Sequence, residues 1–329
     1  MYRKSDKPTL VTGGSGYVGS KLVPMLAQYA PVRVLETMAF GNSIADTPNV
    51  EFIQGDIRDR QTVQGALQGV DSVIHLAGIV TDELVNMGVG YSHSVNVEAM
   101  KQLCDLAAHA GAERFIYASS SSVYGSQKME CYEGTNPNPQ TAYAGMKLAG
   151  EYILNQFKER FWAFSVRSAT CCGPAPRMRL DTIVNTFCAQ AYFKKRITIW
   201  GGDQYRSNIH VEDIADLYCK LALVRDPMIR SGYFINAVRG YHTATELALM
   251  VQAIIPCEVV IDHEKVDARS YRMGSVNGPL MEMRVGWSPD KTIEDAIRDN
   301  LAWFQAGNIK EPDADLYFNT RRMADIVKG

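Results

Sequence analysis

Apolar residues follow two alternating patterns over the first half of the chain. Short runs of apolar and β-branched residues predict strands at 9–12, 32–36, 50–56, 72–78, 114–119 and 164–167. Apolar positions recurring at helical spacing predict helices at 17–29, 60–67, 95–110 and 143–157. This alternation is typical of an α/β protein with a parallel sheet covered by helices on both faces, because parallel strands need crossover connections.

The pattern changes after Arg167, where the connector "CCGPAPRMR" begins. Helices are predicted beyond it at 180–193, 211–223, 244–254 and 293–306, mixed with short strands. We therefore expect a first domain over residues 1–170 and a smaller mixed α/β lobe over 171–329. Residues 209–236 resemble one more helix and strand of the first sheet, so we expect them to return to it.

Composition excludes several classes of protein. The 329 residues contain 34 Lys and Arg against 36 Asp and Glu, a net charge of −2, which argues against nucleic-acid binding. No apolar run approaches the ~20 residues that cross a bilayer, so we expect a cytoplasmic protein without membrane contact. The seven cysteines include no C-x-x-C spacing and predict buried thiols, with neither a disulfide scaffold nor a metal site.

The glycine-rich stretch "TGGSGYVG" follows the first strand and opens the first helix. Such a loop turns tightly, lets a diphosphate approach the backbone and packs the helix on the sheet. The helix N-terminus then offers free N–H groups to the phosphates. An ordinary tight turn is the alternative. The dinucleotide interpretation predicts cofactor contacts at Gly13, Gly16, Tyr17, Val18 and Gly19, and a Rossmann-type doubly wound sheet.

Glu36 ends the second strand about twenty residues further on, where a carboxylate can bind the adenosine ribose hydroxyls. Its charge would repel a 2′-phosphate, which favours NAD over NADP, although Arg33 could compensate. The ends of the third and fourth strands supply further candidate cofactor contacts at Asp56, Ile57, Leu76, Ala77 and Gly78. For Asp56, a loop-capping role is an equal alternative.

Two tyrosines precede a lysine by four residues, a spacing that places both side chains on one face of a helix. A nearby ammonium lowers the pKa of a phenol and allows it to act as a base. Tyr124 and Lys128 flank Gly125 directly after the fifth strand, where no helix is predicted. Tyr143 and Lys147 lie inside a predicted helix, so we choose this pair.

A run of four serines, Ser119 to Ser122, ends the fifth strand at the same sheet edge as the glycine loop. Hydroxyls there can hydrogen-bond a reacting alcohol and the tyrosine, although a polar loop is the alternative.

The chain resembles the extended short-chain dehydrogenases/reductases, specifically the nucleotide-sugar epimerase and dehydratase family that includes UDP-galactose 4-epimerase. The resemblance rests on "TGGSGYVG", "GDIRD", "VIHLAG", "SVNVEAMKQLCDLA", "SSSSVYG", "YAGMK" and "GGDQYRSNIHVEDIADLY". It implies catalytic roles for Ser120, Tyr143 and Lys147, and cofactor contact at Ser119. Its implied substrate contacts are Ser121, Ser122, Thr170, Arg206 and Arg269, the two arginines holding the nucleotide diphosphate.

The chain departs from the family at two places. "RSATCCGP" stands where family epimerases read "RYFNVYGP", so Ser168 and Thr170 replace an aromatic residue and an asparagine. Ser121 and Ser122 stand where the 4,6-dehydratases carry an Asp–Glu pair, which removes the acid and base of water loss. For Arg177, Arg179 and Arg272 we expect solvated surface positions.

The resemblance implies an NAD-dependent epimerase of a nucleotide-diphosphate sugar, most simply a UDP-sugar, acting by transient oxidation at C4. The alternatives are a 4,6-dehydratase, an NAD(P)-dependent ketosugar reductase, or a dinucleotide-sensing binding protein without catalysis. It also implies a homodimer formed through helices 95–110 and 143–157, although these apolar stripes could instead face the core.

Overall fold

The computed structural model describes residues 4–127, 129–224, 232–262, 283 and 285–328. Its strands are β1 Thr9–Thr12, β2 Val32–Glu36, β3 Val50–Gln54, β4 Ser72–His75, β5 Arg114–Ser120, β6 Trp162–Ser168, β7 Thr170–Cys172, β8 Arg196–Trp200, β9 Tyr205–His210, β10 Tyr233–Ala237, β11 Gly240–Thr243 and β12 Glu258–Asp262. Its helices are α1 Tyr17–Leu26, α2 Arg60–Ala66, α3 Asp82–Met87, α4 Val89–His93, α5 Ala99–Ala110, α6 Ala142–Asn155, α7 Ile183–Ala189, α8 Val211–Leu223, α9 Ala244–Ile254, α10 Ile293–Gln305 and α11 Asn319–Lys328.

Seven strands form one sheet in the order β10-β6-β5-β4-β1-β2-β3. Every neighbouring pair in this sheet is parallel. Thr9 pairs with Val32 on one side and with Ser72 on the other, so the chain order reverses at β1. Ligands of such sheets bind at the carboxyl ends of the strands beside this reversal. The predicted Rossmann-type α/β fold is confirmed.

The central strands are buried on both faces, as parallel strands covered by helices must be. In β1, Leu10 and Val11 are both fully buried but belong to different apolar clusters. Leu10 packs in the layer that contains α2, α5 and α6, whereas Val11 packs in the layer that contains α1 and α8. The two layers fix the sheet between them, and its carboxyl edge remains open for a site.

The smaller lobe contains a mixed three-stranded sheet in the order β11-β9-β7 and the parallel pair β12-β8. Helices α7, α9 and α10 pack against one another in this lobe. Strand β10, from residues beyond α8, pairs with β6 at the edge of the large sheet. One apolar cluster runs without interruption from that sheet into the smaller lobe.

The helix predicted at 95–110 begins earlier than its apolar spacing indicated. α4 and α5 are joined by one π-helical segment, Ser94–Glu98. Inside this segment, the Asn96 amide accepts a hydrogen bond from the Ile79 N–H at 2.8 Å and donates one to the Ile79 carbonyl at 2.9 Å. A π-helical turn inside an α-helix commonly accompanies a functional site. Here the segment fixes the backbone that follows β4.

All seven cysteines fall in the described part of the chain and are free thiols, five of them buried. Within that same part, no helix has both the length and the apolar character to span a membrane. No group of three or more His, Cys, Asp or Glu side chains that could hold a metal ion occurs among the described residues.

Candidate active site

A cleft of about 1340 Å³ opens at the carboxyl edge of the large sheet and extends to the smaller lobe. Typical small-molecule sites have volumes of about 300–1,000 Å³, so this cleft has room for a dinucleotide and a second ligand. The predicted site residues that line it are Gly13, Gly16, Tyr17, Val18, Gly19, Glu36, Asp56, Ile57, Leu76, Ala77, Gly78, Ser119, Ser120, Ser121, Ser122, Tyr143, Lys147, Thr170 and Arg206. Arg269 lies outside the described residues.

The glycine loop leaves space for a diphosphate beside the first helix. Gly13 has a φ of +74°, and a Cβ there would lie 2.7 Å from the Ala77 nitrogen, so only glycine fits. α1 begins at Tyr17 without a side-chain cap on its N-terminal N–H groups. Backbone donors at an uncapped helix start suit an anionic diphosphate. The loop therefore fits the dinucleotide that its sequence predicts.

Glu36 lies in the cleft and accepts hydrogen bonds from the Ser15 N–H at 3.3 Å and the Thr37 N–H at 2.9 Å. Burial raises the pKa of this carboxyl, and the backbone hydrogen bonds oppose the rise. Arg33 points elsewhere: its guanidinium pairs with Glu51 at 2.7 Å and donates to the Ala66 carbonyl at 2.9 Å. The cation that could have accommodated a 2′-phosphate is thus already engaged.

Asp56 takes part in the loop that follows β3. Its carboxylate accepts the Arg58 N–H at 2.8 Å and pairs with the Arg58 guanidinium at 2.7 Å. Partial burial disfavours the charge, but the hydrogen bonds from Arg58 outweigh burial and hold the Asp56 pKa below its usual value. The Arg58 guanidinium lies 4.5 Å from the Tyr91 ring centroid. Asp56 therefore caps the loop while also lining the cleft.

The tyrosine and lysine of the chosen pair lie one turn apart on α6, facing the serines at the end of β5. Burial raises the pKa of Tyr143 to about 12, opposed by a hydrogen bond with Ser120 and by the charge of Arg179. The Ser122 hydroxyl donates to the Ser120 Oγ at 2.9 Å, which fixes the serine that meets the phenol. The Ser120 hydroxyl and the Tyr143 phenol are therefore hydrogen-bonded in the cleft that Lys147 also lines.

Lys147 is buried behind the phenol. Its Nζ donates to the Ala118 carbonyl at 2.7 Å and lies 5.8 Å from the Tyr143 ring centroid. Burial lowers the pKa of Lys147 to about 8, and the Glu151 carboxylate acts in the opposite direction. A protonated ammonium at this position acidifies the neighbouring phenol.

The alternative tyrosine, Tyr124, lies in a 3₁₀ turn over Ser121–Tyr124 and not in an α-helix. Its hydroxyl donates to the Asn236 Oδ1 at 2.8 Å and accepts from Arg167 at 2.9 Å. Burial raises its pKa to about 12. Its partner at position 128 lies outside the described residues. Tyr124 thus has a structural role behind the sheet edge.

Two predicted cofactor residues use their side chains elsewhere. The Tyr17 hydroxyl donates to the Gly173 carbonyl at 2.5 Å and accepts from Asn185, which ties the glycine loop to the connector between the lobes. The Ser119 hydroxyl donates to the buried Glu151 carboxylate. Tyr17 therefore offers a cofactor its backbone and ring and not its hydroxyl, and the hydroxyl proton of Ser119 is already donated to Glu151.

The expectation that Arg177 and Arg179 are solvated is wrong. Arg177 is 4% exposed, and both side chains line the cleft. Arg179 pairs with Asp181 at 2.7 Å, and Asp181 also accepts the Asn319 N–H. The connector folds back between the lobes, so charges that look exposed in the sequence become buried. The alternation Arg-x-Arg-x-Asp was the available signal. The third arginine of that expectation, at position 272, lies outside the described residues.

Thr81 and Asp82, at the start of α3, also line the cleft and were not predicted. Thr81 has a φ of +85°, a strained conformation for a β-branched residue, and its hydroxyl accepts the Leu84 N–H at 3.3 Å. The charge of Asp82 raises the pKa of Tyr143. Strain of this kind concentrates at functional sites. No local sequence pattern announces it.

The sheet order, the glycine loop and the Ser–Tyr–Lys group together define an extended short-chain dehydrogenase/reductase. The NAD dependent epimerase/dehydratase family matches residues 9–228, and the chain belongs to this family. Its cofactor is NAD. The family comprises NAD-dependent epimerases and dehydratases, which gives the broad class of this protein.

Three similar proteins illustrate the range of the family. An uncharacterized protein y4nG of Sinorhizobium fredii is 39% identical over 156 residues, which are 47% of this chain and only 38% of that protein. The dTDP-D-glucose 4,6-dehydratase of Mus musculus is 24% identical over 91% of this chain and 89% of its own length. The structure of MoeE5 in complex with UDP-glucuronic acid and NAD superimposes with a TM-score of 0.82 at 23% identity, covering 92% of this chain and 100% of that one.

Proposed function

We propose that this protein is an NAD-dependent epimerase that inverts C4 of a nucleotide-diphosphate sugar, most simply a UDP-sugar. The observation that carries the proposal is the convergence of Ser120, Tyr143 and Lys147 in the cleft that begins at the glycine loop. Glu36 and the N-terminus of α1 are the groups that would hold NAD. When bound, NAD supplies the reversible two-electron chemistry that oxidises the sugar carbon and reduces it again.

Tyr143 acts as the general base in the proposed reaction. The Ser120 hydroxyl binds the reacting sugar hydroxyl. The proton of that sugar hydroxyl moves to the Tyr143 oxygen, directly or through Ser120. Lys147 and Arg179 supply positive charge that favours the phenolate. The keto-sugar then rotates so that its opposite face is presented. The same phenol returns the proton to the carbonyl oxygen, so both half-reactions use one acid–base group.

The smaller lobe supplies the groups that would hold the nucleotide. Arg206 lines the far part of the cleft, and a guanidinium binds two phosphate oxygens at once. Trp200 also lines this cleft, and aromatic rings are common stacking partners for bases. A flexible diphosphate held at Arg206 lets the sugar turn over while the nucleotide stays bound.

A 4,6-dehydratase is the second candidate, because Asp82 lies in the cleft near Tyr143. A carboxylate there could serve as the acid that Ser121 and Ser122 do not provide. The two reactions differ in their products, since dehydration lowers the mass of the sugar by one water molecule and epimerisation leaves it unchanged.

Incubation with a panel of UDP- and dTDP-hexoses, followed by NMR and mass spectrometry, tests the proposal. The expected product is the C4 epimer, with no net change in NADH. Tyr143→Phe should abolish turnover, whereas Tyr152→Phe, on the same helix but 56% exposed, should not. Loss of water would establish the dehydratase, net NADH consumption would establish a reductase, and an unaffected Tyr143→Phe variant would indicate a binding protein.

A further inference from the structure

The last helix of the described chain, α11, leaves the smaller lobe and lies over the cleft at the large sheet. Four of its residues line the cleft: Asn319, Thr320, Met323 and Ile326. Their spacing places them along one side of the helix. The helix therefore contributes a continuous wall to a cleft whose predicted cofactor residues all lie in the first half of the chain.

This helix is held by contacts on two sides of the cleft. On one side, the Arg322 Nε donates to the Ala39 carbonyl at 2.7 Å, in the loop that follows Glu36. On the other side, Val327 is 2% exposed and packs in the apolar layer of α3, α5 and α6. A Cβ on Gly88, between α3 and α4, would overlap the Val327 carbonyl oxygen, so the two backbones are in direct contact.

Arg177 joins the same helix to the connector between the lobes. Its guanidinium donates to the Asn319 Oδ1 at 2.6 Å and stacks 3.7 Å from the Phe40 ring centroid. Burial lowers the pKa of Arg177 to about 9, and the charge of Arg179 adds to this. Its buried Nε has no hydrogen-bond partner among the described residues. A buried donor left unpaired at a cleft wall favours an anionic ligand beside it.

We propose that α11 is part of the NAD site and covers the bound dinucleotide. The helix connects the loop after β2 to the start of α4. A dinucleotide on such a sheet lies between these two sides of the cleft. Thr320 and Met323 would contact the cofactor, and Arg177 would face its phosphates. NAD then leaves only when α11 lifts from Gly88 and Ala39. This inference requires only the cofactor and does not depend on which sugar is the substrate.

Hydrogen exchange on the full-length protein gives the first test. Ligand and cover must stabilise each other reciprocally if one lies on the other. Saturating NAD should slow amide exchange in residues 319–328 by at least about tenfold relative to protein stripped of cofactor. Equal exchange with and without NAD would overturn the proposal.

Two variants test the rate at which NAD leaves. Gly88→Ala places a methyl group against the Val327 carbonyl from outside the cleft, and a second variant ends the chain after Phe318. Exchange of bound NAD against isotopically labelled NAD should become at least about tenfold faster in both. Gly90→Ala is the matched control, since a Cβ there meets open space, and it should exchange at the wild-type rate. A wild-type rate in the truncated protein, or in Gly88→Ala if truncation prevents folding, contradicts the cover.

Discussion

The Glu151 carboxylate forms a two-pronged ion pair with the Arg167 guanidinium, at 2.7 and 2.8 Å, with both side chains buried near the serines at the end of β5. Because Ser119 also donates to Glu151, this pair fixes the end of β5 against α6. Breaking a buried pair leaves an uncompensated charge and costs about 3–5 kcal/mol of the free energy of unfolding. We expect that loss for Glu151→Gln in urea denaturation.

Glu51→Gln is the control for this variant, because Glu51 pairs with Arg33 but is 58% exposed. Exposed pairs contribute roughly 0–1 kcal/mol. A Glu151→Gln protein as stable as this control would show that water or rearrangement compensates the buried Arg167.

Glu151→Gln should also change the pH dependence of catalysis. The Glu151 charge raises the pKa of Lys147, so its loss moves that pKa further below about 8. Lys147 then loses its proton at lower pH, and the alkaline limb of the pH–rate profile should move to lower pH. An alkaline limb that stays in place would separate Lys147 from the catalytic ionisation.

Lys147→Met should raise the pKa of Tyr143, because it removes an ammonium that lies 5.8 Å from the Tyr143 ring centroid. Less phenolate is then present at a given pH, so the acid limb of the profile moves to higher pH. The turnover rate near neutrality should fall by about 10²–10⁴-fold, the usual contribution of a general base. Retained NAD measured in the purified variant checks that the cofactor site is intact.

Arg179, on the connector between the lobes, should lower the pKa of Tyr143 as Lys147 does. Arg179→Gln should move the acid limb of the pH–rate profile to higher pH. Arg179→Lys keeps the charge beside Asp181, so its acid limb should lie close to that of the wild type. A profile equally shifted in both variants would mean that packing of the guanidinium, and not its charge, matters.

Glu36 should determine the choice between NAD and NADP. Glu36→Ala removes the half-buried carboxylate, and loss of a charge-assisted hydrogen bond of about 1.5–3 kcal/mol should weaken NAD binding by about 10–100-fold. NADP binding should improve, because the repulsion is gone. Arg33→Ala should change neither affinity, since Arg33 is held by Glu51. Calorimetric titration with both cofactors distinguishes these outcomes.

Homodimerisation through α5 and α6 remains a prediction. The exposed Tyr152 on α6 offers a direct test, since Tyr152→Arg should lower the mass measured by light scattering if this helix lies in an interface.

The sequence alone determined the parallel sheet and the candidate groups whose positions follow from local spacing. The glycine loop, Glu36 at its strand end, and a tyrosine and lysine one helical turn apart each follow from spacing within a few residues, where backbone geometry fixes side-chain position. Tertiary structure decided the rest. The burial of Arg177 and the position of α11 over the cleft depend on contacts between segments more than a hundred residues apart in the chain. Such contacts are set by how the lobes pack, and hydrophobic period carries no information about them.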